Sequence, residues 1–132
     1  MGAFKDIEEA RAFFEQDRFA TVNGMKLDEL FDGGAVCSVT LNENHYNAMN
    51  NVMGGVVFTL ADFAFAAAAN NDHRFCVGLE SHIHFLAAAK GAKLTAEAAR
   101  VKSGRTTAVY EVKVRDDLGR DVALYVATAF KC

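Results

Sequence analysis

The longest hydrophobic stretch of the chain covers residues 51–70 and reads NVMGGVVFTLADFAFAAAAN. Its length and composition predict a buried helix from about Gly55 to Asn70. One acidic residue, Asp62, stands in the middle of it. An ionised carboxylate is costly in an apolar interior unless it is paired, reaches solvent through a cleft, or takes part in chemistry. Asp62 is therefore the first candidate for a functional residue.

Shorter patterns surround this helix. Apolar residues at helical spacing predict an amphipathic helix over about residues 4–17, and alternating apolar residues predict strands in GAVCSVTL, VGLESHIHF and TAVYEVKVR. Tight turns at KSGR and DDLG join the later strands. With no proline and no linker, residues 1–132 are predicted to form one α+β domain, an antiparallel sheet wrapped around a central hydrophobic helix. In VGLESHIHF the alternation places the apolar residues on one buried face: Val77, Leu79, Ile83 and Phe85.

Composition and charge exclude several classes of function. The chain is 52% hydrophobic and 23% charged, with a net charge of -3, so we expect no nucleic-acid partner. Asp62 and a Gly-Gly pair interrupt the hydrophobic stretch, so we expect no membrane insertion. The N-terminal residues MGAFKDIEEARAFF carry acids where an export signal has an apolar core. The three cysteines are widely spaced and form no CxxC pair, which favours reduced thiols and a cytoplasmic location.

The segment HYNAMNNVMGGVVFTLADFA resembles a family motif, His-x-Asn-x-x-Gly-x-x-His-Gly-Gly followed by Phe-x-Leu-Ala-Asp-x-Ala. This motif belongs to the hotdog-fold acyl-CoA thioesterases of the phenylacetate-degradation (PaaI-like) type, and SGRTTAVYEVKVRDDLGRDVALYVATAF is similar to their closing strands. The chain departs from the motif at Asn50, where Gly is common, and at Met53, where His is common. Gly78 stands near a position where some relatives have Ser or Thr. The resemblance implies a hotdog fold and an acyl-CoA thioesterase. Residues such as Phe58 and Met53 would suit an aromatic or short- to medium-chain acyl group, but they would equally serve as core.

The start of the long helix and Asp62 would supply the two groups that thioester hydrolysis needs. Unpaired backbone N–H groups at a helix N-terminus can hold a developing oxyanion, and Gly54-Gly55 leaves room for a carbonyl oxygen. Asp62 shares a helical face with Gly55 and Thr59, and we expect it to activate water as a general base or to act as a nucleophile. Gly55 and Asp62 are separated by roughly 10 Å along the helix, which is too long for both to act on the same carbonyl carbon with ease. The resemblance implies the solution, a homodimer or a dimer-of-dimers tetramer with clefts at the dimer interface.

The resemblance also assigns the remaining site residues. Asn47 resembles the residue that helps to bind the thioester carbonyl, although a turn residue is the alternative. Arg105 resembles the segment near the CoA nucleotide, where its guanidinium would pair with phosphate; a solvated turn is the alternative. The predicted substrate-binding residues are His45, Met53, Gly54, Phe58 and Thr59, and the predicted CoA-binding residues are Ser103, Gly104 and Arg105.

No metal or other cofactor is expected, because CoA is part of the substrate. His82 and His84 could share a metal from one strand face, but exposed strand histidines are commoner. Two other functions remain open: a non-catalytic acyl-CoA-binding hotdog module, and a hotdog acyl dehydratase that uses His45 as its acid-base residue. If the protein is a thioesterase, His45 could order the loop before the long helix instead of binding substrate. For Asp62 the alternative is a structural carboxylate bonded to Thr59 or to a strand backbone.

Overall fold

The structure is a computed structural model and describes residues 2–132. Its helices are α1 (Ile7–Phe14), α2 (Arg18–Val22) and α3 (Gly54–Asp72), with a 3₁₀ turn at Glu43–His45. Its strands are β1 (Lys26–Phe31), β2 (Gly34–Thr40), β3 (Cys76–Phe85), β4 (Lys93–Ser103), β5 (Thr107–Asp116) and β6 (Asp121–Lys131). They form one six-stranded sheet in the order β1-β2-β4-β5-β6-β3, and all neighbouring strands are antiparallel. Helix α3 contacts every strand, which confirms the predicted hotdog α+β fold.

The sequence of α3 explains how the sheet wraps around it. Its buried positions include the large residues Leu60 and Phe65 and a run of alanines at 67–69. Small side chains let the strands approach closely, while the large ones fill the space between helix and sheet. The helix matches the predicted bounds within two residues, but Asn70 does not end it. Instead the Asn70 side chain donates to Ala66 O and accepts from Cys76 N, both at 2.9 Å, and so links α3 to β3.

The N-terminal region differs from the prediction of one helix over residues 4–17. Helix α1 begins only after Asp6, whose carboxylate accepts a hydrogen bond from Glu9 N at 2.9 Å and caps the helix. The chain leaves the helix at Glu15 and forms the short helix α2, which the sequence pattern did not predict. These two short helices lie against α3. No helix among residues 2–132 has both the length and the hydropathy to cross a bilayer.

Strand β3 corrects a second prediction. The register with β6 shifts between Gly78 and Glu80, so Leu79 forms a bulge and the alternation reverses there. Gly78 pairs with the buried Ala129, while Val77 pairs with Phe130 on the other face. The apolar residues predicted to share one buried face therefore do not share it. β3 is also one of the two edge strands of the sheet, and most of its side chains are exposed.

Candidate active site

The start of α3 presents unpaired backbone donors. Met53 precedes the helix, and its carbonyl accepts hydrogen bonds from Val56 N at 3.0 Å and Val57 N at 3.4 Å. The N–H groups of Gly54 and Gly55 have no acceptor among residues 2–132. A Cβ at Gly55 would meet no atom within 4 Å and the residue is exposed, so there is open space beside this position. This is the geometry that a carbonyl oxygen or an oxyanion requires.

The two glycines differ in their surroundings. A Cβ at Gly54 would lie 3.1 Å from the Phe85 ring, so Gly54 allows the start of α3 to pack against the end of β3. Met53 is 55% exposed and lies beside this opening. Only Gly55 therefore faces open space.

The loop before α3 is built around Asn47. Its Oδ1 accepts hydrogen bonds from Met49 N at 3.0 Å and Asn51 N at 3.1 Å. Asn47 therefore has the role of a turn residue, which was the alternative to carbonyl binding. Its Nδ2 group has no partner among residues 2–132, so it also keeps the donor that the predicted catalytic role needs. Asn50 has φ 61°, a left-handed conformation that Gly or Asn adopts most readily. The departure from Gly at Asn50 therefore preserves the turn.

His45 has an ordering role in this loop. The side chain is 1% exposed; its Nδ1 accepts from Asn42 N at 3.0 Å, and its Nε2 lies 2.8 Å from Asn23 O. Because Nδ1 accepts, Nε2 carries the proton and donates to that carbonyl. Both ring nitrogens are used, so His45 offers substrate no free group, and neither its predicted substrate-binding role nor the dehydratase alternative finds support in this geometry.

Asp62 lies on the least buried face of α3, together with Gly55 and Thr59. Its Oδ1 accepts a hydrogen bond from the Tyr125 hydroxyl at 2.7 Å, while Oδ2 has no partner among residues 2–132. The Thr59 hydroxyl donates instead to Gly55 O at 2.7 Å. The carboxylate is thus held through one oxygen by a strand side chain, and neither Thr59 nor a strand backbone holds it.

A cleft of about 320 Å³ opens beside Asp62. Helix α2 and the chain before it form one wall, and α3 forms the other. Burial and the charge of Asp62 raise the pKa of Asp17, which lies in the α2 wall. Of the predicted substrate-binding residues, two from α3 line this cleft: Phe58 and Thr59.

The predicted CoA-binding turn lies at the other end of the molecule. Phe85, at one end of β3, packs near Gly54, whereas Cys76, at the other end, pairs with Lys131. Lys131 Nζ donates to Ser103 Oγ at 2.8 Å and to Gly104 O at 2.6 Å. The turn Ser103–Arg105 is therefore near the C-terminal end of α3, a helix roughly 28 Å long. One chain does not bring this turn to Gly55.

The sequence pattern missed two side chains near Asp62. Tyr125 is fully buried in β6, and its ring packs against Phe58 with the centroids 5.4 Å apart. Burial and its bond to Asp62 raise the pKa of Tyr125, so the phenol stays protonated and remains a donor. In DVALYVATAF the pattern gives this tyrosine no more than the place of a strand residue. Its hydroxyl, a polar group in an apolar strand, is the one feature of the sequence that could have marked it as a hydrogen-bond donor. Asp17 gave no signal in the sequence, because it stood as one more polar residue at the end of the helix predicted over residues 4–17.

Comparison with known proteins agrees with this geometry. The model of the thioesterase superfamily matches residues 49–123, which is more than half of the chain. The acyl-coenzyme A thioesterase PaaI of Escherichia coli is 32% identical over 119 residues, covering 89% of this chain and 85% of PaaI. The structure of E. coli PaaI, from the phenylacetic acid degradation operon, has a TM-score of 0.89 at 29% identity and covers 96% of this chain and 92% of that one.

A second solved structure is a hypothetical thioesterase with coenzyme A from Streptococcus pneumoniae. It has a TM-score of 0.83 at 28% identity, covering 90% of this chain and 94% of that chain. The region that the family model matches includes the start of α3, Asp62 and the whole of strands β3, β4 and β5. The chain therefore belongs to the thioesterase superfamily, as a PaaI-like thioester hydrolase with the hotdog fold.

Proposed function

We propose that this protein hydrolyses acyl-CoA thioesters, with the start of α3 holding the thioester oxygen and Asp62 activating water. The observation that carries the proposal is the pairing of two features on one face of α3. The N–H groups of Gly54 and Gly55 are unpaired, with open space at Gly55, and the Oδ2 atom of Asp62 is unpaired beside a cleft. A donor for the oxyanion and a base for water are the two requirements of the reaction.

The active unit in this proposal is a homodimer, alone or as half of a tetramer. Seven residues separate Gly55 from Asp62, or roughly 10 Å along the helix, so one chain cannot offer both to the same carbonyl carbon. β3 leaves an edge of the sheet open, with Val77, Leu79 and Phe85 each more than half exposed. An apolar edge strand favours pairing with another strand. Two-fold pairing of β3 edges would set the two α3 helices antiparallel, with the start of each one beside Asp62 of the other.

The reaction then proceeds by general base catalysis. The N–H of Gly55, assisted by the Asn47 amide of the same loop, donates to the carbonyl oxygen. Asp62 of the second protomer takes a proton from water as the water oxygen bonds to the carbonyl carbon. The tetrahedral intermediate collapses, the C–S bond breaks, and the proton passes to the CoA sulfur. The products are a carboxylic acid and CoA, and no step needs a metal or a bound redox cofactor.

The CoA part of the proposal rests on the relatives and on the dimer geometry. E. coli PaaI is an acyl-coenzyme A thioesterase, and the S. pneumoniae thioesterase structure contains coenzyme A. In the β3-paired dimer, the turn Ser103–Arg105 of one chain lies toward the end where α3 of the other chain starts. Arg105 would then pair with CoA phosphates. Unpaired cysteines at 37, 76 and 132 favour a cytoplasmic location for this protein.

The acyl part is aromatic or of short to medium length. The cleft beside Asp62 holds about 320 Å³ and is lined by Phe58 and Phe63. Rings of this kind pack against aromatic or aliphatic acyl groups. Met53, at the helix start, adds a flexible apolar contact and no hydrogen-bond donor. We therefore expect unsubstituted acyl groups to be preferred over hydroxylated ones by about tenfold or more in kcat/KM.

Asp62→Asn tests the proposal directly. The amide cannot accept the proton of water, so kcat should fall on the order of a hundredfold or more for the best substrate in a panel of CoA thioesters. Asp121→Asn is the control, because Asp121 is exposed and pairs only with Arg115 at the surface. Wild-type turnover by Asp62→Asn would refute the role of Asp62. Binding of non-hydrolysable acyl-CoA without any turnover would favour the non-catalytic module instead.

A further inference from the structure

The two oxygens of Asp62 have different surroundings. Oδ1 accepts the Tyr125 hydroxyl at 2.7 Å, and Oδ2 is unpaired among residues 2–132. The bond joins residues 63 positions apart, between the middle of α3 and β6. A side chain that can rotate freely presents either oxygen to water, but this one cannot do so without breaking the bond.

Tyr125 is itself held on several sides. Its side chain is fully buried, and its ring packs against Phe58 at 5.4 Å and Phe65 at 6.1 Å between centroids. Because the surrounding rings hold the Tyr125 ring in place, they also fix the position of its hydroxyl oxygen. A rigid donor orients its acceptor better than a mobile one, since little side-chain entropy is lost when the bond forms.

We propose that Tyr125 is a positioning residue for hydrolysis: it holds Oδ1 of Asp62 so that Oδ2 is the oxygen that takes the proton from water. The inference rests on the proposed role of Asp62 and adds the side chain that orients it. Tyr125 does not touch substrate in this proposal. It acts by fixing the orientation of the carboxylate through the phenol O–H donor.

Other charged and titratable groups also face this pair. Asp17 and Arg18 line the same cleft from the α2 side. Glu80 and Ser81, on β3, lie near the Tyr125 phenol. These groups are unchanged by a substitution at Tyr125, so a difference between the wild type and a Tyr125 variant reports on the phenol alone.

The structure offers a matched control, Tyr110. It is also buried, its ring also packs against Phe65, and its hydroxyl also donates to an aspartate of α3, Asp72. Asp72 lies at the C-terminal end of the helix and pairs with Arg100 at 3.0 Å, away from Asp62 and the start of α3. Tyr125→Phe and Tyr110→Phe therefore remove the same group from the same kind of environment, and only one of them touches Asp62.

The experiment measures kcat and KM for a CoA thioester in the full chain, for the single variants and in the Asp62→Asn background. Tyr125→Phe should lower kcat by about tenfold with KM within twofold. Tyr110→Phe should leave kcat and KM within twofold of wild type. In the Asp62→Asn background, Tyr125→Phe should cause no further loss, because its effect acts through the carboxylate.

A Tyr125→Phe protein with wild-type kcat would overturn the inference, and so would equal losses in both tyrosine variants or a further loss from Tyr125→Phe in the Asp62→Asn background. If Tyr125→Phe does not fold, the comparison is between 3-fluorotyrosine at position 125, which keeps the O–H donor, and 4-fluorophenylalanine, which fills the same space without it. Only 4-fluorophenylalanine should lower kcat by about tenfold, and equal kcat in the two proteins would refute the role. Wild-type activity in Asp62→Asn would instead refute the proposed function, so the two failures are distinguishable.

Discussion

Gly55→Ala should raise the stability of α3 and lower the rate of hydrolysis. Alanine in place of glycine stabilises a helix interior by up to about 1 kcal/mol, and Gly55 is only the second residue of α3, so we expect about half of that. The added methyl group meets no atom within 4 Å, so no steric cost opposes the gain. The same methyl group occupies the open space that the thioester oxygen must enter. Since loss of one oxyanion donor costs roughly 10²–10³ in kcat, partial obstruction should cost about 10- to 100-fold in kcat/KM.

The assay pairs urea unfolding with steady-state hydrolysis of one CoA thioester. Gly55→Ala should be more stable and less active than wild type, a combination that general damage to the fold does not produce. Gly54→Ala is the comparison: its Cβ would lie 3.1 Å from the exposed Phe85 ring, which must shift by a few tenths of an ångström, so its gain in stability should be smaller than that of Gly55→Ala. Wild-type kcat/KM in Gly55→Ala would refute the oxyanion site. A loss of stability in Gly55→Ala would contradict the open environment of that residue.

Three further predictions test other parts of the molecule. Asn50→Val should destabilise the fold by about 1 kcal/mol or more in urea unfolding, because φ is 61°, and Asn50→Gly should be tolerated. Burial opposes ionisation of Asp116, but hydrogen bonds from three backbone N–H groups outweigh it and lower the pKa of Asp116. Its ionised carboxylate therefore stabilises the fold fully above the unfolded-state pKa, and this stability is lost as pH falls through the folded-state pKa. In Asp116→Asn, the melting temperature should fall less steeply over that acid range. Leu79→Asp should dissociate the proposed dimer in sedimentation equilibrium, whereas Leu118→Asp, equally exposed but in the β5–β6 turn, should not.

The sequence predicted those features that a repeating pattern determines. Residues 54–72 formed the expected helix because nearly all of them are apolar or small, and β5 buries Tyr110 and Val112 as its alternation indicated. Glycines at 54 and 55 marked the helix start and its free donors. The fold class follows from these elements, since one apolar helix needs a sheet around it.

The remaining features depend on single residues or on contacts between distant segments. A bulge at Leu79 reverses the faces of β3, and alternation alone gives no sign of one extra residue. The capping carboxylate of Asp6 shortened α1, and the weak pattern after it concealed α2. Histidine is suited to acid-base chemistry, so position 45 was a reasonable candidate from the sequence. Only the structure shows that His45 is buried with both ring nitrogens hydrogen-bonded.

Asp62 shows why a carboxylate can persist within an apolar helix. The cost of placing it there falls with solvent access, and the residue lies on the open face of α3 beside a cleft. Tyr125 supplies a hydrogen bond to one oxygen from within the core, so the carboxylate is partnered without being neutralised by a cation. A lysine or arginine in the place of Tyr125 would hold Asp62 more strongly but would tie the carboxylate up in an ion pair. A neutral donor on one oxygen orients the group and leaves the other oxygen free to meet water, which is the combination that a water-activating residue requires.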